Sequence, residues 1–423
     1  MRRAVWSLAC GRAGVPSDRA RHPLATSRWG VPILASLVVF GPISIDLYLP
    51  ALPDIARAFG AGTGALQWTL SAFLAGFCLG MLVYGPVSDA VGRRPVLLFG
   101  IVLFVLASLA CAFAPSAAQL IGLRFFQAVG GGAAAVMGRA IVRDIYPRHD
   151  GARILSLVAL VTAITPMLAP LAGAQILRLF GWPAIFLLLA LYGALVLVLA
   201  WRAVAESHPP ARRTQLRLGA AAAVYGRLLA DRAAWGCVLC AGGTFGAMFA
   251  YIAATPFVYI EHFGVSPQAY GLLFALNIVS QMAGTYLNSR MVRLGAVVRM
   301  SRAAARLALA GASLLLLAGL SGWGGLGLVA VALLPVIGVS VLQSSNMTAR
   351  IMALYPDNLG AAAAALTSSM FGLGALSSFC VSLFNDGTPL AMGVVVFICC
   401  AIALLGTTRH FMAADDIETN KTG

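Results

Sequence analysis

Long apolar stretches dominate this chain, interrupted at fairly regular intervals by short polar segments or by glycine and proline. An α-helix needs about 17–25 mainly apolar residues to cross a hydrocarbon layer roughly 30 Å thick. Twelve stretches meet that description, over residues 30–52, 66–84, 95–114, 118–138, 154–177, 182–201, 234–258, 269–288, 303–320, 326–348, 361–384 and 389–407. The pattern predicts an all-α membrane protein with twelve transmembrane helices. Composition agrees. Of the 423 residues, 60% are hydrophobic and 10% charged, and the mean hydropathy is +0.90, whereas soluble domains carry about 25% charged residues. Neither a soluble core nor a disordered chain accommodates this balance.

Charge then orients the spans. The formal net charge of +15 suggests nucleic acid at first sight. The basic residues, however, fall on one side of the predicted topology. Segments 1–29, 85–94, 139–153, 202–233, 289–306, 349–360 and 408–423 hold 26 of them, and the opposite side holds only Arg57 and Arg178. By the positive-inside rule both termini are cytoplasmic, and the charge is a topology signal with no nucleic-acid partner implied. The stretch Met1-Arg2-Arg3 with Ala4–Ala9 is too short for the apolar core of a signal peptide, so residues 1–29 read as a basic cytoplasmic tail. The single lysine, Lys421, excludes a P-loop ATPase and a membrane Schiff base. Cys237 and Cys240 have metal-like spacing but no His or acidic neighbours, so no metal, cofactor or disulfide framework is expected.

The longest internal loop, 202–233, divides the chain into six-helix halves at 30–201 and 234–407, with a C-terminal tail over 408–423. Two short repeats fit that division. Phe59-Gly60 returns as Phe263-Gly264, and Tyr146-Pro147 with Gly151-Ala152 returns as Tyr355-Pro356 with Gly360-Ala361, at offsets of 204 and 209 residues.

Between the second and third spans stands Gly85-Pro86-Val87-Ser88-Asp89-Ala90-Val91-Gly92-Arg93-Arg94. Gly85 and Pro86 predict a tight turn, with Asp89 at a helix end and two arginines facing the cytoplasm. This segment resembles the signature loop of the major facilitator superfamily, with Ala90 where that family usually has a basic residue. A degenerate copy, Asn288 to Gly295, occupies the same place in the second half. The first span ends in Asp46-Leu47-Tyr48-Leu49-Pro50-Ala51-Leu52-Pro53, which is similar to the bicyclomycin-resistance and chloramphenicol-efflux branch (Bcr/CflA). In the fourth span, Arg124-Phe125-Phe126-Gln127-Ala128 resembles an Arg-x-x-Gln-Gly motif whose arginine is associated with proton coupling. In the fifth, Pro166 to Ala174, with Pro170 and Gly173, resembles the antiporter gate motif, Ala169 and Ala174 replacing glycines. The resemblance implies a major facilitator fold of two six-helix bundles, and a monomeric, proton-coupled drug exporter of the inner membrane. It also implies that Gly85, Asp89, Gly92, Arg93 and Arg94 form a conformational latch and that Pro166, Pro170 and Gly173 lie on a pliable gate helix. The gate segment also reads as a plain, well-packed kinked helix.

Ionisable groups inside spans are costly and default to functional candidates. No histidine lies in a span, so proton chemistry falls to carboxylates. Asp46, with Pro42 and Pro50 four residues to either side, is the prime proton-coupling candidate, although its place near the predicted outer end also suits a merely hydrated carboxylate. Arg124 lies about a third of the way into its span and either pairs with an acceptor or snorkels. Tyr48, Gln127, Asn277, Gln281 and Gln343 are candidates for substrate contact, and each amide serves equally well as interhelical glue.

The reading favours a proton-coupled multidrug exporter working by alternating access, with an amphipathic small molecule, protons and the lipid bilayer as partners. A metabolite exporter or symporter is the alternative. An enzyme finds no support, since there is no Gly-x-Ser-x-Gly, no His-Glu-x-x-His and no second deep Asp.

Overall fold

The computed structural model describes residues 23–213, 226, 230–291, 297–356, 359–385 and 387–412. The expectations for residues 1–22, most of the central loop, Arg293 to Gly295 and the last eleven residues lie outside the described part.

Among the described residues, twelve long helices run back and forth. They are α1 (Gly30–Phe59), α2 (Thr63–Val91), α3 (Arg93–Ala112), α4 (Ala117–Ile145), α5 (Arg148–Phe180) and α6 (Trp182–Ala203), then α7 (Arg232–His262), α8 (Pro267–Met291), α9 (Val297–Ser321), α10 (Gly325–Leu354), α11 (Leu359–Leu383) and α12 (Pro389–Gly406). Among the described residues, eleven of these are long and apolar enough to cross a membrane. The remaining one, α8, has the length but is diluted by Asn277, Gln281, Thr285 and Asn288. The chain is therefore a multi-pass membrane protein.

Several helices extend past the predicted apolar limits. Charged residues end an apolar run without ending a helix, so α4 continues through Arg139 and Arg143 and α1 continues through Asp54 and Arg57, which pair with each other. The predicted turn at Gly85-Pro86 is also absent. Helix α2 runs through both residues to Val91, and the chain reverses at the single residue Gly92, whose φ of +113° is a glycine conformation.

Helices α1–α6 pack chiefly on one another, as do α7–α12, and the two groups meet where α2 lies against α11 and α5 against α8. Small residues permit the closest approaches. A Cβ on Gly100 would sit 2.9 Å from the Gly130 carbonyl, which brings α3 and α4 into backbone contact. Arg57 and Arg178 mark an arginine-poor end of the molecule. There the bundles nearly touch, since a Cβ on Gly64 would lie 2.6 Å from the Ser382 carbonyl and Ser71 Oγ donates to Ser378 Oγ at 2.9 Å. In the arginine-rich half they part, leaving a cavity of about 470 Å³.

The duplicated tyrosines have equivalent tasks. Tyr146 Oη, at the end of α4, donates to the Leu24 carbonyl at 3.2 Å, just ahead of α1. Tyr355 Oη, at the end of α10, donates to Asp231 Oδ2 at 2.5 Å, just ahead of α7. Each ties the fourth helix of its half to the entry of the first. Asp231 also caps α7 through its other oxygen, which accepts from Ala233 N at 2.8 Å. We expect Tyr355→Phe to lower the melting temperature in detergent, because a hydrogen bond to a charged group contributes about 1.5–3 kcal/mol. An unchanged melting temperature would show that the tyrosine tie is idle.

Candidate functional site

The site begins with a break in α1. Helical bonding needs an N–H four residues beyond each carbonyl. Pro50 removes the donor for Asp46 and Pro53 removes it for Leu49. The α-helix accordingly stops at Asp46, gives way to a 3₁₀ turn over Leu49–Ala51, and resumes at Leu52. Because the helix continues to Phe59, Asp46 is the 17th of 30 residues and lies near the middle of α1. The hydrated outer-end position is thus not the one it occupies, and the residue is only 4% exposed.

Three consecutive residues at the break have three different surroundings. Asp46 lies within electrostatic range of the Tyr251 and Tyr270 phenols of α7 and α8, across the bundle boundary. Among the described residues it has no ion-pair partner. Leu47 presents its carbonyl to α5, where a Cβ on Gly173 would sit 1.9 Å from that oxygen. Only glycine permits this approach of α5. Pro170 is buried beside it, Pro166 is half-buried, and α5 remains one continuous helix through both prolines. Tyr48 turns into the first bundle and is fully buried.

Arg124 is also fully buried. Its guanidinium carbon lies 4.1 Å from the Tyr48 ring centre and 4.3 Å from that of Phe73, so two π-faces enclose the cation. Such contacts are worth about 2 kcal/mol or more when water is excluded. No carboxylate pairs with Arg124 among the described residues. Arg124 Nη1 donates to Gln127 Oε1 at 2.5 Å, Gln127 Nε2 donates to Ser108 Oγ at 2.7 Å, and Ser108 Oγ donates to the Phe104 carbonyl at 2.7 Å. Thr69 Oγ1 donates to the Leu66 carbonyl at 2.5 Å, so the 2.9 Å bond between Tyr48 and Thr69 has the tyrosine as donor. Tyr48 and Gln127 are therefore committed to holding Arg124. Asp46 and Tyr48, the ring that stacks on Arg124, are two residues apart at the break in α1.

In the second bundle the amides divide. Gln343 is fully buried, donating to the Ser301 carbonyl at 3.0 Å and accepting from Cys240 Sγ at 3.3 Å, so both ends of its amide hold helices together. Gln281 Nε2 donates to Ser340 Oγ at 2.7 Å. Asn277 differs. Its Nδ2 donates to Tyr251 Oη at 3.2 Å and to the Leu273 carbonyl at 3.1 Å, while its buried Oδ1 has no partner. Through Tyr251, Asn277 belongs with the Asp46 cluster.

At the arginine-rich end, Arg93 Nη1 meets Asp89 Oδ1 at 2.6 Å and Arg93 Nε meets Asp144 Oδ2 at 3.1 Å. Glu206, just past α6, accepts from Arg93 N at 2.9 Å and Arg94 N at 3.3 Å, placing a carboxylate on the first turn of α3. Arg94 Nη2 donates to the Trp201 carbonyl at 2.8 Å. A Cβ on Gly92 would collide with Glu206 Oε2 at 2.5 Å, so the glycine serves both the turn and the carboxylate. Gly85 lies within α2, where its carbonyl accepts from Ser88 Oγ at 2.8 Å, the hydroxyl that in turn accepts from Arg93 Nη1. Every one of these contacts is made by the first six helices and the residues just after α6.

The sequence matches the Major Facilitator Superfamily over residues 34–379. It is 34% identical over 383 residues to an MFS-type transporter of Bacillus subtilis, YdgK, covering 89% of this chain and 95% of that one. It is 31% identical over 389 residues to a bicyclomycin resistance protein homolog of Haemophilus influenzae, covering 91% and 96%. The chain belongs to the Major Facilitator Superfamily.

A Pseudomonas aeruginosa chloramphenicol resistance protein is 32% identical over 274 residues, covering 62% of this chain and 64% of that one. The fold also matches a D-xylose-proton symporter with a TM-score of 0.71 at 17% identity, over 90% and 96% of the two chains. Superfamily members are carriers of small molecules across membranes. Asp144 and Glu206 join Asp89, Arg93 and Arg94 in one network and were missed by sequence reasoning. Their signal was scarcity: with 14 acidic residues in 423, each acid amid the basic segments stands out.

Two outcomes follow for these residues. Arg124→Lys keeps the charge but loses the planar group that lies between two rings, so it lowers thermal stability and transport together. A variant with wild-type melting and transport would show that the stack is dispensable. For the loop, Asp89→Asn leaves Arg93 held by Asp144. It slows turnover while leaving substrate affinity within about threefold. Wild-type turnover in reconstituted vesicles would remove the latch role.

Proposed function

We propose that this chain is a proton-driven exporter of apolar or amphipathic drugs, working by alternating access as a monomer in an inner membrane. The arginine-rich end faces the cytoplasm, as the positive-inside rule requires, and both termini lie on that side. The names of the relatives support a drug as cargo, since they are resistance proteins for bicyclomycin and chloramphenicol.

One observation carries the proton: a carboxyl group buried at a helix break, with no counter-ion among the described residues and within electrostatic range of phenols of the opposite bundle. An ionised carboxylate in such a place is costly, and protonation removes the cost. The neutral acid therefore fits the arrangement in which the bundles meet at the arginine-poor end. The ionised form fits an arrangement in which they part there and water reaches Asp46. Rocking that is biased by the charge of one side chain, and by cargo between the bundles, links a proton moving inward to a drug moving outward. Gly173 makes the gate helix sensitive to the break, because α5 rides on the Leu47 carbonyl. Asp89, Arg93 and Arg94, with Asp144 and Glu206, hold the cytoplasmic end of the first bundle rigid so that it moves as a unit.

Asp46→Asn keeps the shape of the protonated group and cannot titrate. In vesicles with an imposed proton gradient it fails to drive uphill drug movement, while drug binding survives and loses its pH dependence. Retention of gradient-driven pumping in this variant would place the coupling elsewhere.

A further inference from the structure

Proton coupling leaves the cavity in the arginine-rich half unexplained. Its volume of about 470 Å³ falls within the ~300–1,000 Å³ range of drug-sized sites. Both bundles supply its walls: Cys78 and Leu82 from α2, Trp235 from α7, Ile351 from α10, and Ser368 and Leu373 from α11. Among the described residues, no Asp, Glu, Lys, Arg or His lines it. A cation entering would exchange its hydration for apolar walls with no counter-charge, a penalty an uncharged molecule does not meet.

One polar group in the wall has no protein partner. Ser368 is 2% exposed, and its Oγ makes no hydrogen bond. The flanking hydroxyls behave otherwise. Thr367 donates to the Ala363 carbonyl and Ser369 to the Ala365 carbonyl, each at 2.8 Å, folding back onto their own helix. On the far wall, Cys78 Sγ donates to the Ser368 carbonyl at 3.2 Å, so α2 and α11 meet at this residue.

We propose that this cavity binds an uncharged, largely apolar small molecule bearing a hydrogen-bonding group, with Ser368 Oγ as its polar contact. The proposal rests on the drug-export reading and names the class of cargo. It also separates cargo from proton. Phe77, beside Cys78, lies level with Gly41, where a Cβ would sit 2.9 Å from its ring. Asp46 is five residues farther along α1, toward the arginine-poor end. Cargo and proton thus occupy different places, and their exchange is coupled by movement of the bundles, not by competition for one carboxylate.

Cys78 is a native reporter. The full-length protein in detergent is treated with N-ethylmaleimide, and modification of Cys78 is followed by peptide mass spectrometry with uncharged chloramphenicol or cationic ethidium present. At ten times its Kd, chloramphenicol slows Cys78 modification about tenfold, and ethidium leaves the rate unchanged. Protection persists in Asp46→Asn, weakens in Ser368→Ala and vanishes in Ala365→Phe, which fills the cavity. Ser368→Ala removes one atom, so it remains decisive if Ala365→Phe misfolds. Equal protection by ethidium, loss of protection in Asp46→Asn, or full protection in Ser368→Ala overturns the assignment. Gradient-driven chloramphenicol efflux from vesicles separates the two claims. Efflux without Cys78 protection refutes the cavity alone, whereas absence of both refutes the export reading on which it rests.

Discussion

Two missing backbone donors organise this protein. Pro50 and Pro53 prevent α1 from closing its bonds to Asp46 and Leu49, and the helix breaks near the middle of its length. An unbroken helix would present residues 46, 47 and 48 about 100° apart, with every carbonyl occupied. The break frees a turn of backbone. Around it Asp46 lies within electrostatic range of the second bundle, Leu47 packs its carbonyl against α5, and Tyr48 stacks on the buried arginine. Backbone irregularity at membrane depth is tolerated where protein surrounds it, and here α4, α5, α7 and α8 provide that cover.

The buried charges are managed in contrasting ways. Arg124 is permanently charged, and its partners are fixed: two ring faces and an amide relay ending on a backbone carbonyl. Asp46 has no ion-pair partner among the described residues, and it lies within electrostatic range of the Tyr251 and Tyr270 phenols of the second bundle. A static cation and a switchable acid suit a machine in which one bundle keeps its shape while the boundary between bundles opens. The signature loop extends the same logic, since its acids and arginines satisfy one another within the first bundle.

Much of this was legible in the sequence, for identifiable reasons. Asp46 and Arg124 stand out because an ionisable group in an apolar run has few explanations. The tyrosine repeat was visible as a spacing, and its meaning, a tie from the fourth helix of each half to the first, required coordinates. The length of α1 was not legible, because Asp54 and Arg57 end the apolar run while their mutual pairing lets the helix continue. The fate of the amides was also hidden. Gln343 is consumed by Ser301 and Cys240, 42 and 103 residues away in the chain. Gln127 is consumed by its own arginine and by Ser108. Asn277 keeps a free oxygen beside the Asp46 cluster, and nothing in sequence distinguishes the three.

The central claim is that the Asp46 proton is bound when the bundles meet at the arginine-poor end and released as cargo shifts them. Drug-induced proton release tests it most directly. Chloramphenicol is added to purified protein in a weakly buffered solution, with a soluble pH dye as the readout. The account predicts proton release from the wild type that follows drug binding, and none from Asp46→Asn although that variant still binds the drug. Equal release from both proteins, or binding without release in the wild type, would contradict it.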